Sequence, residues 1–418
     1  MSRDSRKRDS LGSHKLLGNP GRLPPLGPSP RRFLDGERSV NFTLDGSGAM
    51  PAPLRLRPAP VQSQGAGRGP AACRGNPLEL LITIMRILLA ATHDYPIRES
   101  VGSGLRPKKL PSGSGGAVHD LIAKGLAELG HDVFYLVPHA VDQRPPMGVT
   151  LIAEPVQNAE VLHTTLYANE ELSHEWQSQG KPWVTTCSMR QADSFALRRH
   201  LESGAKELPW SGDNWIFVSR TMAHLHGRER YVCNGIDPEE YSFSEAKDDY
   251  LLYMAAMDWG PAKGLHEALS LSVQVGFKLV VAGTSGNQQR IDFVAEACLK
   301  ARAEYVGDVR GSAKADLLAG ARAFLFPTKI YESFGLVMAE ALMSGTPVIC
   351  SNLGACHEIV SSEVGFVCAT EQDYIEAIGK IGEISPAACR ARAMSEYHYM
   401  RMARGYVREY EREIRRLR

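Results

Sequence analysis

The residues best suited to chemistry lie in one run, Phe326-Pro-Thr-Lys-Ile-Tyr-Glu-Ser-Phe-Gly-Leu-Val-Met-Ala-Glu-Ala-Leu-Met-Ser-Gly-Thr-Pro-Val-Ile349. Its pattern predicts a strand ending at Phe326, a loop carrying Glu332, and a helix that begins near Phe334 or Gly335 and stops at Gly345, where a left-handed cap suits glycine. The free amides that open such a helix attract anions. Inside it Glu340 is the only charge among Leu336, Val337, Met338, Ala339, Ala341, Leu342 and Met343, and an unpaired carboxylate in apolar surroundings is costly. Glu340 is either the solvated edge of that helix or a carboxylate at a cleft accepting hydrogen bonds from ligand hydroxyls. Upstream, Lys263-Gly264 stands at another loop-to-helix junction. A lysine there can neutralise a diphosphate or be an ordinary surface residue. Gly115-Gly116 lets the backbone approach a phosphate or sugar closely, or makes a plain turn. Gly113-Ser-Gly115-Gly-Ala-Val118 lacks the third glycine of a dinucleotide fingerprint, which argues against NAD.

The elements that position these residues are those of a parallel α/β protein. From Met85 onward, short β-branched runs alternate with helical patterns. The expected strands are Met85 to Ala91, Asp132 to Val137, Ala159 to His163, Trp183 to Cys187, Trp215 to Ser219 and Tyr231 to Cys233, with a helix from Ala117 to Leu129. A second set runs Tyr250 to Ala255, Lys278 to Ala282, Ala303 to Val306, Ala323 to Phe326, Pro347 to Cys350 and Gly365 to Cys368. Two such sheets imply two lobes around a cleft, with ligands beyond the carboxyl ends of the strands. The stretch Ser385 to Arg418 reads as helical throughout. Its seven arginines from Arg401 to Arg418 alternate with Glu409, Glu411 and Glu413, as a solvated helix face would. Weak contact with anionic lipid is the other reading of that face.

Here the sequence resembles the retaining glycosyltransferases of family-4 (group 1) type, which have the two-lobed GT-B fold. Glu332 and Glu340, separated by seven residues with Phe-Gly after the first, match that family's donor motif. Gly115-Gly116 through Val133, Val218-Ser-Arg220, Asn234-Gly-Ile-Asp237 and Tyr250 through Lys263-Gly264 follow in the family's order, so the likeness covers nearly all of residues 85–418. The resemblance implies that Glu332 and the amides near Phe334, Gly335 and Leu336 contact the donor sugar and phosphate. It also implies that Glu340 holds the ribose hydroxyls and Lys263 the diphosphate. Two departures stand out. Ala256 occupies the place of an arginine that usually shares the diphosphate. The family's histidine-rich segment is reduced to Val161-Leu-His163-Thr-Thr165, leaving His163 as the candidate beside the donor sugar, or as a buried strand-end histidine. His131 is expected to be structural.

The expected organisation is an Arg/Pro/Gly-rich, disordered extension over 1–84, an acceptor-side Rossmann-like domain over 85–240, a nucleotide-sugar-binding domain over 241–395, and a final helix over 396–418 crossing back to the first domain. Residues 1–84 hold 13 Lys and Arg against 6 Asp and Glu, so the +1 total leaves the remainder mildly acidic. An acidic body gives no reason to expect a nucleic-acid partner. The apolar run Leu78 to Ala91, broken by Glu79 and Arg86, is too short to span a bilayer, for which about 20 residues are needed. Eight isolated cysteines without a Cys-x-x-Cys pair suit buried thiols in a reducing, cytoplasmic setting. The expected activity is transfer of a sugar from a nucleotide-diphosphate donor to a hydroxyl acceptor, with retention. No cofactor other than the donor is expected, and no metal, there being no Asp-x-Asp. A sugar-nucleotide epimerase of the same fold and a non-catalytic nucleotide-sugar-binding protein are the alternatives.

Overall fold

The computed structural model describes residues 84–91, 114–138, 145–165, 169–188 and 214–418. The expected extension over 1–84 lies, but for Ile84, outside the described residues. The first sheet comprises β1 (Arg86–Ala90), β2 (Asp132–Leu136), β3 (Val149–Ile152), β4 (Val161–Thr165), β5 (Trp183–Cys187) and β6 (Trp215–Phe217), in the order β3-β2-β1-β4-β5-β6. The second comprises β7 (Leu251–Met254), β8 (Leu279–Ala282), β9 (Glu304–Gly307), β10 (Ala323–Phe326), β11 (Val348–Ser351) and β12 (Gly365–Cys368), in the order β12-β11-β10-β7-β8-β9. All the pairings within both sheets are parallel. In each sheet the chain winds outward, returns to the middle and winds the other way, which creates a switch point between β1 and β4 and another between β7 and β10.

Strand periodicity divides each sheet between two cores. Ile87 and Leu89 pack on one face with Ile122 and Leu126, while Leu88 and Ala90 face Trp176 and Trp215. In the second lobe, Leu252 and Phe324 lie on one face with Met338 and Leu342, and Leu251 and Tyr253 lie on the other with Leu265 and Leu269. The strands β7, β8, β10 and β11 are buried along their whole length, the expected state of parallel strands covered on both sides.

Three elements depart from the expectation. The edge strand β3 was not foreseen. Tyr231 joins Phe217 through an isolated bridge rather than a strand. The carboxy-terminal stretch is two helices, Pro386–Glu396 and Tyr399–Leu417, not one. The break has no glycine or proline. Instead Ile236 donates its N–H to the Tyr397 carbonyl (2.6 Å) and accepts from the Tyr399 N–H (3.1 Å), so the two chain passages between the lobes pair with each other. His398 then caps the new helix, its Nδ1 accepting from the Met400 N–H at 3.1 Å.

The terminal helix crosses onto the first lobe. It buries Met402, Ala403, Tyr406, Val407 and Tyr410, and leaves Arg401, Arg404, Arg408 and Arg412 outward. Its close approach to the first helix, Ser114–Glu128, depends on Gly125: a Cβ there would stand 2.7 Å from the Ala403 Cβ. Arg230 ties the far end, pairing with Glu409 at 2.7 Å and with the fully buried Glu413 at 2.6 Å. Among the described residues no helix is long and apolar enough to cross a membrane.

Candidate active site

The loops that follow β7 and β10 meet at the switch point of the second sheet, where these two strands are neighbours. Gly264 allows the meeting. Its φ is +84°, and a Cβ would lie 1.9 Å from the Pro327 carbonyl oxygen, so a side chain at this position is excluded twice over. The Lys329 N–H donates to the Ala262 carbonyl (2.9 Å), and the Lys329 ammonium pairs with Glu267 at 2.5 Å. The result is that Lys263 Nζ makes an ion pair with Glu332 Oε1 and stands 5.6 Å from the centre of the Phe326 ring. Glu332 is 6% exposed and also accepts from the Thr328 hydroxyl at 3.4 Å.

The loop carrying Glu332 is held on both sides. The Glu332 carbonyl accepts the Ala355 N–H at 2.9 Å, and from the first lobe the Ser219 hydroxyl donates to the Ser333 carbonyl at 2.6 Å. Phe334 is buried edge-on against Tyr397. Gly335, at φ +87°, then starts the helix Leu336–Met343, and no side chain caps its amino end. Its first amides are therefore open to an anion.

Within that helix Glu340 is 4% exposed, so it is not a solvated edge. It is paired from two other elements: the Tyr241 hydroxyl donates to Oε1 at 2.8 Å, and Lys314 Nζ lies 2.6 Å from Oε2. Neither Tyr241 nor Lys314 was singled out from the sequence. Both lie far from Glu340 along the chain, and only the fold brings them to it.

The remaining candidates fall elsewhere. Gly115 and Gly116 lie in the first turn of the helix Ser114–Glu128, which opens earlier than the apolar pattern suggests, so they are helix-start residues rather than a loop. His163 is fully buried in the first lobe, its Nδ1 2.7 Å from the Tyr410 hydroxyl and its Nε2 2.7 Å from the Thr186 hydroxyl. Burial, and then neighbouring His119, hold its pKa well below the ordinary range. Both ring nitrogens are engaged by side chains of the core. His163 therefore ties the terminal helix to the first sheet and has no atom left to face a sugar. His131 accepts the Met85 N–H through Nδ1 at 3.2 Å, as a structural histidine does. Ala256 precedes a short 3-10 turn, Met257–Trp259. Next to it Arg290 Nη1 donates to the Asp258 carbonyl at 2.6 Å, a cation that the sequence did not point out. Arg310 pairs with Asp308 at 2.8 Å. Among the described residues no cluster of three His, Cys, Asp or Glu is placed to hold a metal ion.

Residues 239–399 match the family described as "Glycosyl transferases group 1". Over 242 residues the chain is 30% identical to the glycogen synthase of Mycobacterium tuberculosis, covering 51% of this chain and 57% of that protein. The chain thus spans somewhat more than half the length of that curated relative. Among solved structures, Anabaena HepE in complex with UDP and glucose matches with a TM-score of 0.57 at 14% identity, over 78% of this chain and 99% of the other. The sucrose-phosphate synthase of Thermosynechococcus elongatus matches with a TM-score of 0.58 at 19% identity, over 78% and 98%. The two Rossmann-like sheets are those of the GT-B architecture, and the match to the group 1 glycosyl transferases lies over the second lobe.

Proposed function

We propose that this chain, whose second lobe matches the group 1 glycosyl transferases, moves a glycosyl group from a nucleotide-diphosphate sugar to a hydroxyl acceptor. The observation that carries the reading is the convergence of Lys263 and Glu332 at the switch point of the second sheet, beside an uncapped helix start. The bond that breaks joins the anomeric carbon to a phosphate oxygen. Negative charge then develops on the departing diphosphate, where the Lys263 ammonium and the amides that follow Gly335 stabilise it. Glu332 orients the sugar, and Glu340 accepts from the ribose hydroxyls by exchanging one of its present donors. The acceptor hydroxyl passes its proton to the departing diphosphate oxygen as its own oxygen bonds to the anomeric carbon. Retention and independence of metal belong to this proposal: the acceptor attacks from the face that the diphosphate leaves, and the Lys263 ammonium and the amides after Gly335 together supply the charge stabilisation that a divalent ion otherwise would. His163 has no part in it.

The experiment is turnover of UDP-, GDP- and ADP-sugars against a panel of hydroxyl acceptors with and without chelator, the anomeric configuration of the product being read by NMR. Retained configuration and rates unchanged by chelator support the reading. Inverted configuration overturns retention, loss of rate on chelation overturns metal independence, and no release of diphosphate from any donor overturns the activity.

A further inference from the structure

Apart from the donor site, a cavity of about 790 Å³ opens where the first-lobe helix Arg220–Leu225, the short helix Cys356–Ile359 and the two carboxy-terminal helices come together. It is within the size range of small-ligand sites. None of Lys263, Glu332, Gly335 and Glu340 lines it, whereas Arg220, Arg230, Arg392, Arg401, Arg408 and Arg412 do. Most of its carboxylates are already engaged. Glu409 pairs with Arg230 at 2.7 Å, and Glu396 with Arg401 at 3.1 Å. Glu358 accepts from the backbone N–H groups of Arg220 and Thr221 and from the Thr221 hydroxyl, each at 3.0 Å. Glu229 and Glu358 are the carboxylates of the lining that form no ion pair among the described residues.

Among the described residues four guanidinium groups of the lining form no ion pair, although the charge of Glu358 reaches that of Arg220. Arg220 donates to the Tyr231 hydroxyl (2.9 Å), and Arg392 to the Glu358 carbonyl (3.3 Å). The Arg392 Nε is buried without a partner. Arg408 and Arg412, one turn apart on the terminal helix, form no ion pair among the described residues. A planar fork of donors on each arginine matches phosphate oxygens two at a time. Cations from three separate elements facing one cavity are mutually repulsive until an anion enters.

We propose that this cavity is a second anion site, taking a ligand that carries two or more phosphate groups. The same atoms connect it to the donor loop. Arg220 follows Ser219, which holds the Ser333 carbonyl, and the helix bearing His357 and Glu358 begins directly after Ala355, which holds the Glu332 carbonyl. An anion that draws Arg220, Arg392 and the terminal helix together thus acts on both supports of that loop, and the two sites are coupled. The phosphates belong either to a soluble metabolite or to the headgroup of an anionic lipid.

The test is calorimetric titration of inorganic pyrophosphate into the full chain, into Arg408→Gln/Arg412→Gln and into Lys263→Ala, beside cosedimentation of the same proteins with vesicles containing cardiolipin, whose headgroup carries two phosphates. Both arginines are exposed, so their substitution leaves the core untouched. The expected result is a binding event that Lys263→Ala preserves and that the arginine pair weakens at least tenfold. Vesicle capture lost in the arginine variant, with no pyrophosphate event, supports the site and assigns the phosphates to lipid. Pyrophosphate and vesicle binding unchanged in the arginine variant, or absent from the full chain, would overturn the proposal.

Discussion

Lys263→Met tests whether the ion pair at the switch point is a real energetic unit. The substitution keeps an unbranched side chain of similar length and removes the ammonium, which lies 5.6 Å from the centre of the Phe326 ring. Glu332, whose side chain is 8% accessible, would then retain just the Thr328 hydroxyl at 3.4 Å. Leaving a buried charge without its partner costs about 3–5 kcal/mol in a deep interior and about 1–3 kcal/mol for a group with residual hydrogen bonding. Lys263 itself is 21% accessible, so water reaches the site and the smaller range applies. A loss of about 2 kcal/mol in a body this large lowers Tm by roughly 4 °C. Glu332→Gln in the same background removes the stranded charge, since the amide oxygen still accepts from Thr328. The double variant should recover to within about 0.5 kcal/mol of the parent while remaining inactive, a coupling read directly from the mutant cycle. Scanning calorimetry and denaturant titration on the four proteins measure it. If the two losses simply add, the pair does not exist in solution and the geometry derived for the site is wrong.

Other outcomes follow from the same structure. Glu340→Gln should weaken nucleoside diphosphate binding by about tenfold, on the order of 1.4 kcal/mol, and Tyr241→Phe, which removes the hydroxyl donating to Glu340 Oε1, should do so less; calorimetry with UDP, GDP and ADP distinguishes them. Ala256→Arg should tighten diphosphate binding without loss of Tm, and no change in affinity would show that the loop from Ala256 to Lys263 points the new guanidinium away. Stability should fall above pH 9. Burial pushes the thiols of Cys233, Cys368 and Cys389 up to about 12 and that of Cys298 to about 11. In the unfolded chain they ionise near 8.5. Their folded pKa values are raised, so their contribution is complete below pH 8.5 and is lost progressively between there and about 11 to 12. Lys247, lowered to about 8 by burial, acts in the opposite sense between pH 8 and 10.5, but it is one group against four. Tm measured from pH 7 to 11 should decline past pH 9, less steeply in Cys298→Ala; a flat profile contradicts the burial argument.

The parallel sheets were legible because buried strands advertise themselves: Ala323–Phe326 is an unbroken apolar run and Trp183–Cys187 is rich in aromatic and β-branched residues. Only β3 escaped, an edge strand whose residues Leu151 and Ile152 are half-buried. Glu332, Gly335 and Glu340 were legible because loop, helix start and both acids fall within a few residues of each other. What lay hidden depends on contacts distant in sequence. Glu340 meets its partners from residues 241 and 314, and His163 meets Tyr410 across 247 positions. Read along the strand, His163 looked the same whether it faced a cleft or a core; the tyrosines of the terminal helix decide for the core. The break at Tyr397 was equally silent, since it is imposed by Ile236 rather than by any helix-breaking residue nearby.

The most direct test of the account is the affinity of UDP, GDP and ADP for the wild-type chain and for Lys263→Ala, measured by calorimetry at fixed ionic strength. At least one of the three should bind, and the substitution should weaken it tenfold or more. Equal affinity in both proteins, or no binding of any of the three, would contradict it.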